Sequence, residues 1–258
     1  MTIKTFLKKY GLSVLSVIIF IFLWEVGSRL GILPVDYIGT PSKIFFEFTH
    51  MWTPDFVNTY FLPSIEELFI GLAISIAVGT VFGFLIGINS TVRQIFKPFF
   101  FAINTVPVMV FFPLFIIAFG ISLQTVIIAI VVTCAAPIMI NVAEGVANTD
   151  PLLLGMAKSF NAKGFFVFKE VLLGSTLPYL FAGIKSGVGR AIIALIIAEL
   201  YGLNKGIGYL ISFYGSGLHT DKLMAIVLLI LLLNCIIFSM IWLIERNLYE
   251  EKRISNFS

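Results

Sequence analysis

The sequence predicts an all-α integral membrane protein with six membrane-spanning helices. Of its 258 residues, 59% are hydrophobic and only 12% are charged, and the mean hydropathy is 1.04. A soluble domain carries about 25% charged residues, so this chain lacks the charge needed to cover a water-facing surface. Windows of the length that crosses a bilayer core of about 30 Å occur at residues 11–31, 64–88, 99–119, 122–146, 176–200 and 223–244.

The same composition excludes several classes of protein. High hydrophobicity with low charge excludes a soluble enzyme and a disordered chain. The 17 Lys and Arg residues against 14 Asp and Glu leave a net charge of only +3 with no basic run, which excludes a nucleic-acid partner. The two cysteines and two histidines stand apart from one another, so no metal site is expected. Because the chain has no G-x-x-x-x-G-K-[ST] phosphate loop, we expect it to bind no cofactor and to hydrolyse no ATP by itself.

The first element is an uncleaved spanning helix. Lysines 4, 8 and 9 precede the apolar run, no small-x-small cleavage site follows it, and further spans come later. The Lys and Arg residues then set the orientation. Eleven of the seventeen fall in the segments on the side of the N-terminus, four fall on the other side, and two lie inside the fifth span. The positive-inside rule therefore predicts that both termini face the cytoplasm.

The chain divides at about residue 60. Residues 1–60 hold the first span and a short helix over 41–52, which begins after Thr40-Pro41 and is predicted to lie in the outer membrane interface. Residues 61–248 hold the other five spans. The second span carries small residues at every fourth position, from Gly71 to Gly87, which predicts close packing of another helix. Prolines 107 and 113 in the third span and Pro137 in the fourth predict either a kink or the lining of a path.

The segment between the fourth and fifth spans is long and structured. Asp150 followed by Pro151 is a good helix start, since the carboxylate accepts from free backbone N–H groups and proline tolerates the first helical position. A helix over 151–160 follows, and Asn161 suits its end. A short amphipathic helix at the inner surface fits the groove of a partner protein. From the residues alone, a helix resting on the lipid surface is equally compatible.

This segment and its neighbours resemble the membrane subunit of bacterial ABC importers. The EAA loop of that family reads Glu-Ala-Ala, three residues, Gly, nine residues, then Ile-x-Leu-Pro. Residues 155–161 and 171–174 match its spacing and keep Ala157, Val171 and Leu173, whereas Gly155 replaces the acid. Further similarity to the nitrate, sulfonate and taurine branch lies in Trp24-Glu25, Pro41-Ser42, Val106-Pro107, residues 177–185, Ala198-Glu199-Leu200 and residues 206–210. One departure is Glu66-Glu67, which stands where such proteins often carry an arginine.

The resemblance implies a six-helix type I ABC permease in the bacterial cell membrane. It also implies a second permease subunit, expected to be another copy of this chain. Two cytoplasmic ATPases, which bind ATP and Mg²⁺, would dock on the helix over 151–160, and an external binding protein would deliver the solute. The residues that the resemblance assigns to ATPase coupling are Asp150, Pro151, Leu154, Gly155, Met156, Ala157, Lys158, Asn161 and Ala162.

Ionisable residues inside a span are costly, by about 2.5–3.5 kcal/mol at the centre, and are therefore candidates for function. Arg190 lies near the middle of the fifth span and could hold an oxyanion such as a sulfonate or nitrate. A structural ion pair is the alternative for Arg190. Glu199 lies near the outer face, where a gate and a helix-end role are both open. The complete set of predicted substrate-path residues is Arg190, Lys185, Asn104, Thr105 and Glu199.

Two other classes of membrane protein compete with the importer. A self-sufficient secondary carrier would show an internal repeat with paired acids inside the membrane, and a membrane-embedded enzyme would show clustered His, Asp or Cys residues. The sequence displays neither pattern. Within the importer reading the expected cargo is an anion such as a sulfonate, taurine or nitrate, and a thiamine-precursor pyrimidine or another heterocycle is the alternative.

Overall fold

The computed structural model describes the backbone of residues 3–202 and 204–255. Side chains are described over residues 11–248, apart from residues 13, 103, 104, 108, 202 and 203. Within these residues the chain is helical, joined by short turns, and has no β-strand. The helices are α1 (Ile3–Arg29), α2 (Val35–Ile38), α3 (Pro41–His50), α4 (Pro54–Ile88), α5 (Ser90–Thr105), α6 (Val108–Phe119), α7 (Leu123–Ala147), α8 (Pro151–Ser159), α9 (Gly164–Tyr201), α10 (Ile207–Ser216) and α11 (Thr220–Ser255).

Four helices in the described part of the chain are long and apolar enough to cross a membrane, namely α4, α7, α9 and α11. They correspond to the predicted second, fourth, fifth and sixth spans, which confirms those four. The helices α4 and α9 begin earlier than the spans predicted from 64 and 176, because each starts with an additional segment that includes a π-helical turn, over Val57–Phe61 and Val167–Leu172.

The predicted third span, 99–119, is not one helix. The chain forms α5 and α6 instead, separated by Val106 and Pro107. A proline excludes the helical region for the residue before it, and Val106 is accordingly extended at φ −75° and ψ 125°. Pro107 therefore produces a break in this segment and not merely a kink, whereas Pro113 lies inside α6.

The core is built around α7, which packs between α4 and α9. The predicted stripe of small residues on α4 faces α7, with Gly71 against Ile130 and Gly83 against Val142. On the other side, Gly187 of α9 faces Cys134. Interfaces of this kind rely on small residues because the two backbones approach closely. The packing stripe predicted for α4 is thus confirmed.

The long helices define two ends of the molecule. Gly87 lies against Val146, so the last turns of α4 and α7 meet, and α8 follows directly. We call this the α8 end. At the other end, which we call the α10 end, α3 and α10 pack against the first turns of α4 and α11. The apolar cluster there consists of Phe56, Ile207, Leu210, Ile226 and Leu229.

Candidate functional site

The helix α8 begins as its sequence predicts. The Asp150 carboxylate accepts a hydrogen bond from the backbone N–H of Leu152 at 2.8 Å, and Pro151 occupies the first helical position. The helix ends at Ser159, one residue before the predicted end. Asn161 then adopts the left-handed conformation, with φ 53°, that the glycine of the EAA motif would otherwise supply.

One side of α8 presents apolar side chains to the surroundings. Leu152, Met156 and Phe160 are 68%, 51% and 82% exposed. They follow one another at intervals of four, so they form a single stripe along the helix. Nothing lies within 4 Å of the position that a Cβ atom on Gly155 would take, so this side of the helix is open as well.

Ala157 differs from the other residues assigned to coupling. It is buried, and α8 packs there against the π-helical turn Val167–Leu172 of α9. Ala157 therefore holds α8 against its own chain and does not belong to the exposed stripe. Of the remaining assigned residues, Leu154, Lys158 and Asn161 are exposed and Ala162 is half-buried.

The segment that carries α8 is tied to the bundle on both sides. Before α8, Thr149 is buried and its hydroxyl lies 2.8 Å from that of Ser175 on α9. The Ser175 hydroxyl also donates to the backbone carbonyl of Val171 at 3.0 Å. A force on α8 would consequently act on α7, which precedes it in the chain, and on α9, to which Thr149 is hydrogen-bonded.

The ionisable residues predicted for the substrate path lie along α9. Lys185 forms an ion pair with Glu245 of α11, and both side chains are partly buried. Arg190 lies five residues further along, is half-buried, and is close enough to Cys134 of α7 to interact with it electrostatically. The ion pair between Lys185 and Glu245 thus joins α9 to α11.

The other predicted path residues lie at the end of α5 and near the end of α9. The Thr105 hydroxyl is exposed and donates to the carbonyl of Phe101 in its own helix at 2.7 Å. The side chain of Asn104 lies outside the described residues. Glu199 is fourteen residues from Lys185 on the same helix, which corresponds to about 21 Å. Lys185 and Glu199 therefore lie far apart along α9.

Glu199 has a helix-end role at the α10 end. Its carboxylate is fully buried and accepts hydrogen bonds from the Ser64 hydroxyl at 2.5 Å and from the backbone N–H of Gly208 at 2.7 Å. The backbone N–H of Ile207 in turn donates to the Ser64 hydroxyl at 2.8 Å. Side chains from α4 and α9 therefore cap the N-terminus of α10, where free N–H groups and the helix dipole favour a negative charge.

Gly206 makes this cap possible. Its φ of 92° favours glycine, and a Cβ atom there would overlap the Glu199 carboxylate.

Glu25, which belongs to the Trp24-Glu25 motif of the family resemblance, caps the N-terminus of α3 in the same way. Its carboxylate accepts from the backbone N–H of Ser42 at 3.0 Å and from the Ser42 hydroxyl at 2.9 Å. Each of these acids thus attaches a short helix to a long one: Glu199 attaches α10 to α9, and Glu25 attaches α3 to α1.

Two features of the α10 end were not predicted from the sequence. The first is Glu67, a fully buried carboxyl group of α4 that lies beside Glu199. The unusual Glu66-Glu67 pair in the sequence was the only signal of it. The second is a cavity of about 300 Å³, whose lining includes Tyr60, Tyr209, Phe213 and Tyr214. Burial, with the Glu47 carboxylate nearby, raises the pKa of Tyr214.

Among the residues with described side chains, no group of three His, Cys, Asp or Glu lies close enough together to hold a metal ion.

Comparison with known proteins identifies the family. The model of a family described as "Binding-protein-dependent transport system inner membrane component" matches residues 75–248. SsuC of Bacillus subtilis, a permease protein whose name refers to aliphatic sulfonates transport, is 27% identical over 94% of this chain and 89% of its own. The nitrate import permease protein NrtB of Leptolyngbya laminosa is 32% identical over 67% of this chain and 64% of its own.

A solved structure shares the fold. A chain of an amino acid ABC transporter, crystallised with histidines, superposes with a TM-score of 0.58 at 16% identity, over 76% of this chain and 95% of that one. The relatives confirm the predicted branch, that of the nitrate, sulfonate and taurine permeases. The chain therefore belongs to the inner membrane components of binding-protein-dependent transport systems, the permease family of ABC importers.

Proposed function

We propose that this chain carries a small anion into a bacterial cell as one of two copies in an ABC importer. ATP hydrolysis by a separate ATPase pair would drive the movement, and an external binding protein would deliver the anion. Both termini would face the cytoplasm, with α1 and the broken α5–α6 segment as the remaining two crossings. Eleven Lys and Arg residues on the side of the N-terminus against four on the other support this orientation.

The exposed apolar stripe of α8 carries the proposal. Leu152, Met156 and Phe160 project from a short helix held between two spanning helices, at the end where α4 and α7 terminate. An apolar helix face of this kind fits the groove of a partner protein. In a permease, the partner that must act at this end is the ATPase.

The anion assignment has two supports. Arg190 is a permanent positive charge within α9, and its planar guanidinium suits carboxylate, sulfonate or nitrate oxygens. The relatives are named for aliphatic sulfonates, nitrate and taurine. The path would run between two copies, with Arg190 and Thr105 contributed by each.

Co-purification of the ATPase through the tagged permease tests the proposal. Met156→Asp places a charge in the exposed stripe and is expected to release the ATPase. Leu218→Asp is the matched control, because Leu218 is 75% exposed at the α10 end and its φ of 54° suits aspartate. Ala157 is unsuitable as a probe, since a charge at this buried site would disturb the chain itself.

The expected result is that the ATPase stays with wild type and Leu218→Asp and is lost from Met156→Asp. Equal recovery of the ATPase with both variants would show that α8 is not the docking element. The solute that stimulates ATP hydrolysis in the assembled complex identifies the cargo. Stimulation by a pyrimidine and not by anions would overturn the anion assignment while leaving the importer intact.

A further inference from the structure

Two carboxyl groups from different spanning helices lie side by side at the α10 end. Glu67 of α4 and Glu199 of α9 are both fully buried, and they interact through their side chains. The Glu199 carboxylate has two hydrogen-bond donors, the Ser64 hydroxyl and the backbone N–H of Gly208. It also faces the N-terminus of α10. Glu199 is therefore the member of the pair whose negative charge is stabilised.

Glu67 lacks such donors. Neither of its carboxyl oxygens has a hydrogen-bond partner among the described atoms. The nearest cation is the ammonium group of Lys205, at 3.9 Å from Oε1, which is too long for a hydrogen bond. The Lys205 side chain is also 44% exposed, so its charge is partly screened by water. The other charged group that acts on Glu67, the exposed Glu66, adds further repulsion.

Among the described residues, the charged groups that act on Glu67 are Lys205, Glu66 and Glu199. The helix α10, which packs on α9 and on the start of α4, carries two tyrosines, Tyr209 and Tyr214, and no charged side chain. The helix α6, which packs on α9, carries no titratable side chain, and neither do the first three turns of α7. Two carboxylates that share a buried site repel each other strongly, and the usual resolution is that the pair keeps one proton. A protonated Glu67 would also become a donor to Glu199, which gives the Glu67 carboxyl group the hydrogen-bond partner that it lacks.

We infer that Glu67 and Glu199 form a proton-binding site, which holds one proton between the two carboxyl groups while α10 is docked. Opening of α10 would break the cap, admit water to both carboxylates and release the proton. The docked state therefore binds one proton more than the open state. Raising the pH favours opening, by about tenfold in the equilibrium constant per pH unit, for as long as the docked pair keeps its proton.

The backbone amides of Ile207 and Gly208 report the state of this cap directly, since they donate to Ser64 and Glu199. Their hydrogen exchange can be measured with the full chain in lipid nanodiscs, after correction for the intrinsic pH dependence of exchange. In the wild type, protection of both amides is expected to fall about tenfold between about pH 6 and about pH 7. Glu66→Gln, the neighbouring exposed acid, is expected to keep this slope.

Glu67→Gln is the decisive variant, because glutamine has the shape of the protonated acid and can donate to Glu199. It is expected to keep the amides protected and to remove the slope. The infrared carbonyl band of a protonated carboxylic acid, present at neutral pH in the wild type, should disappear in the same variant. This second measurement does not depend on the motion of α10.

Two results would overturn the inference. One is a wild type with no pH slope and no band from a protonated carboxyl group. The other is equal loss of protection in Glu67→Gln and Lys205→Gln, which would mean that Glu67 is an ionised partner of Lys205. The hydrogen-exchange and infrared measurements do not depend on transport, on the ATPase or on the solute. They therefore test the proton-binding site separately from the proposed function.

Discussion

Substitution of Gly83 by alanine tests the packing of α4 on α7. A Cβ atom at this position would lie 2.6 Å from Cβ and 2.7 Å from Cγ1 of Val142, and 3.0 Å from the carbonyl oxygen of Met139. Carbon atoms in contact normally lie about 3.5–4.0 Å apart, so the two helices must separate by about 1 Å. Overpacking of this kind costs about 1–3 kcal/mol. The higher helix propensity of alanine returns about 1 kcal/mol.

We therefore expect Gly83→Ala to lower the free energy of unfolding by up to about 2 kcal/mol, measured by titration with a denaturing detergent in mixed micelles. Gly189→Ala is the matched control, since it lies in the spanning helix α9 and nothing stands within 4 Å of its Cβ position. That variant should be neutral or slightly stabilising. If Gly83→Ala unfolds no more easily than Gly189→Ala, close approach of α4 and α7 does not hold the bundle together.

Three further predictions concern the ends of helices and the ion pair. Asn161→Ala should cost about 1 kcal/mol because Asn161 is left-handed, whereas Asn161→Gly should cost nothing, both measured as the free energy of unfolding. In a double-mutant cycle, exchanging the charges of Lys185 and Glu245 should recover most of the stability lost by either single change, and additive losses would refute the pairing. Ser42→Ala removes a donor to Glu25. It should cost about 1 kcal/mol and speed limited proteolysis after α3, and an unchanged cleavage rate would contradict the cap.

Signals that lie close together in the sequence predicted the structure well. Four spans, the start of α8 at Pro151 and the start of α3 at Pro41 follow from runs, caps and prolines within one or two turns. The small-residue stripe of α4 also follows from a local repeat, because a period of four places Gly71 to Gly87 on one face. In each case the residues that decide the structure are neighbours in the chain.

The predictions that failed depend on residues that are distant in sequence, or on sequence patterns that are compatible with two structures. A proline in an apolar run predicts a kink and a break equally, and only the extended Val106 distinguishes them. The orientation of α8, which buries Ala157, depends on its contact with α9. The cap of α10 joins Ser64 to Glu199, which are 135 residues apart in the sequence, so no local pattern predicts it.

ATP hydrolysis by the assembled complex distinguishes an ABC importer from a self-sufficient carrier. The permease would be reconstituted in proteoliposomes with its ATPase, and the activity compared with and without binding protein loaded with a sulfonate, taurine or nitrate. We expect loaded binding protein to stimulate hydrolysis and to drive uptake of the same anion. Uptake by the permease alone, with neither ATPase nor binding protein, would contradict it and show that the chain is a self-sufficient carrier.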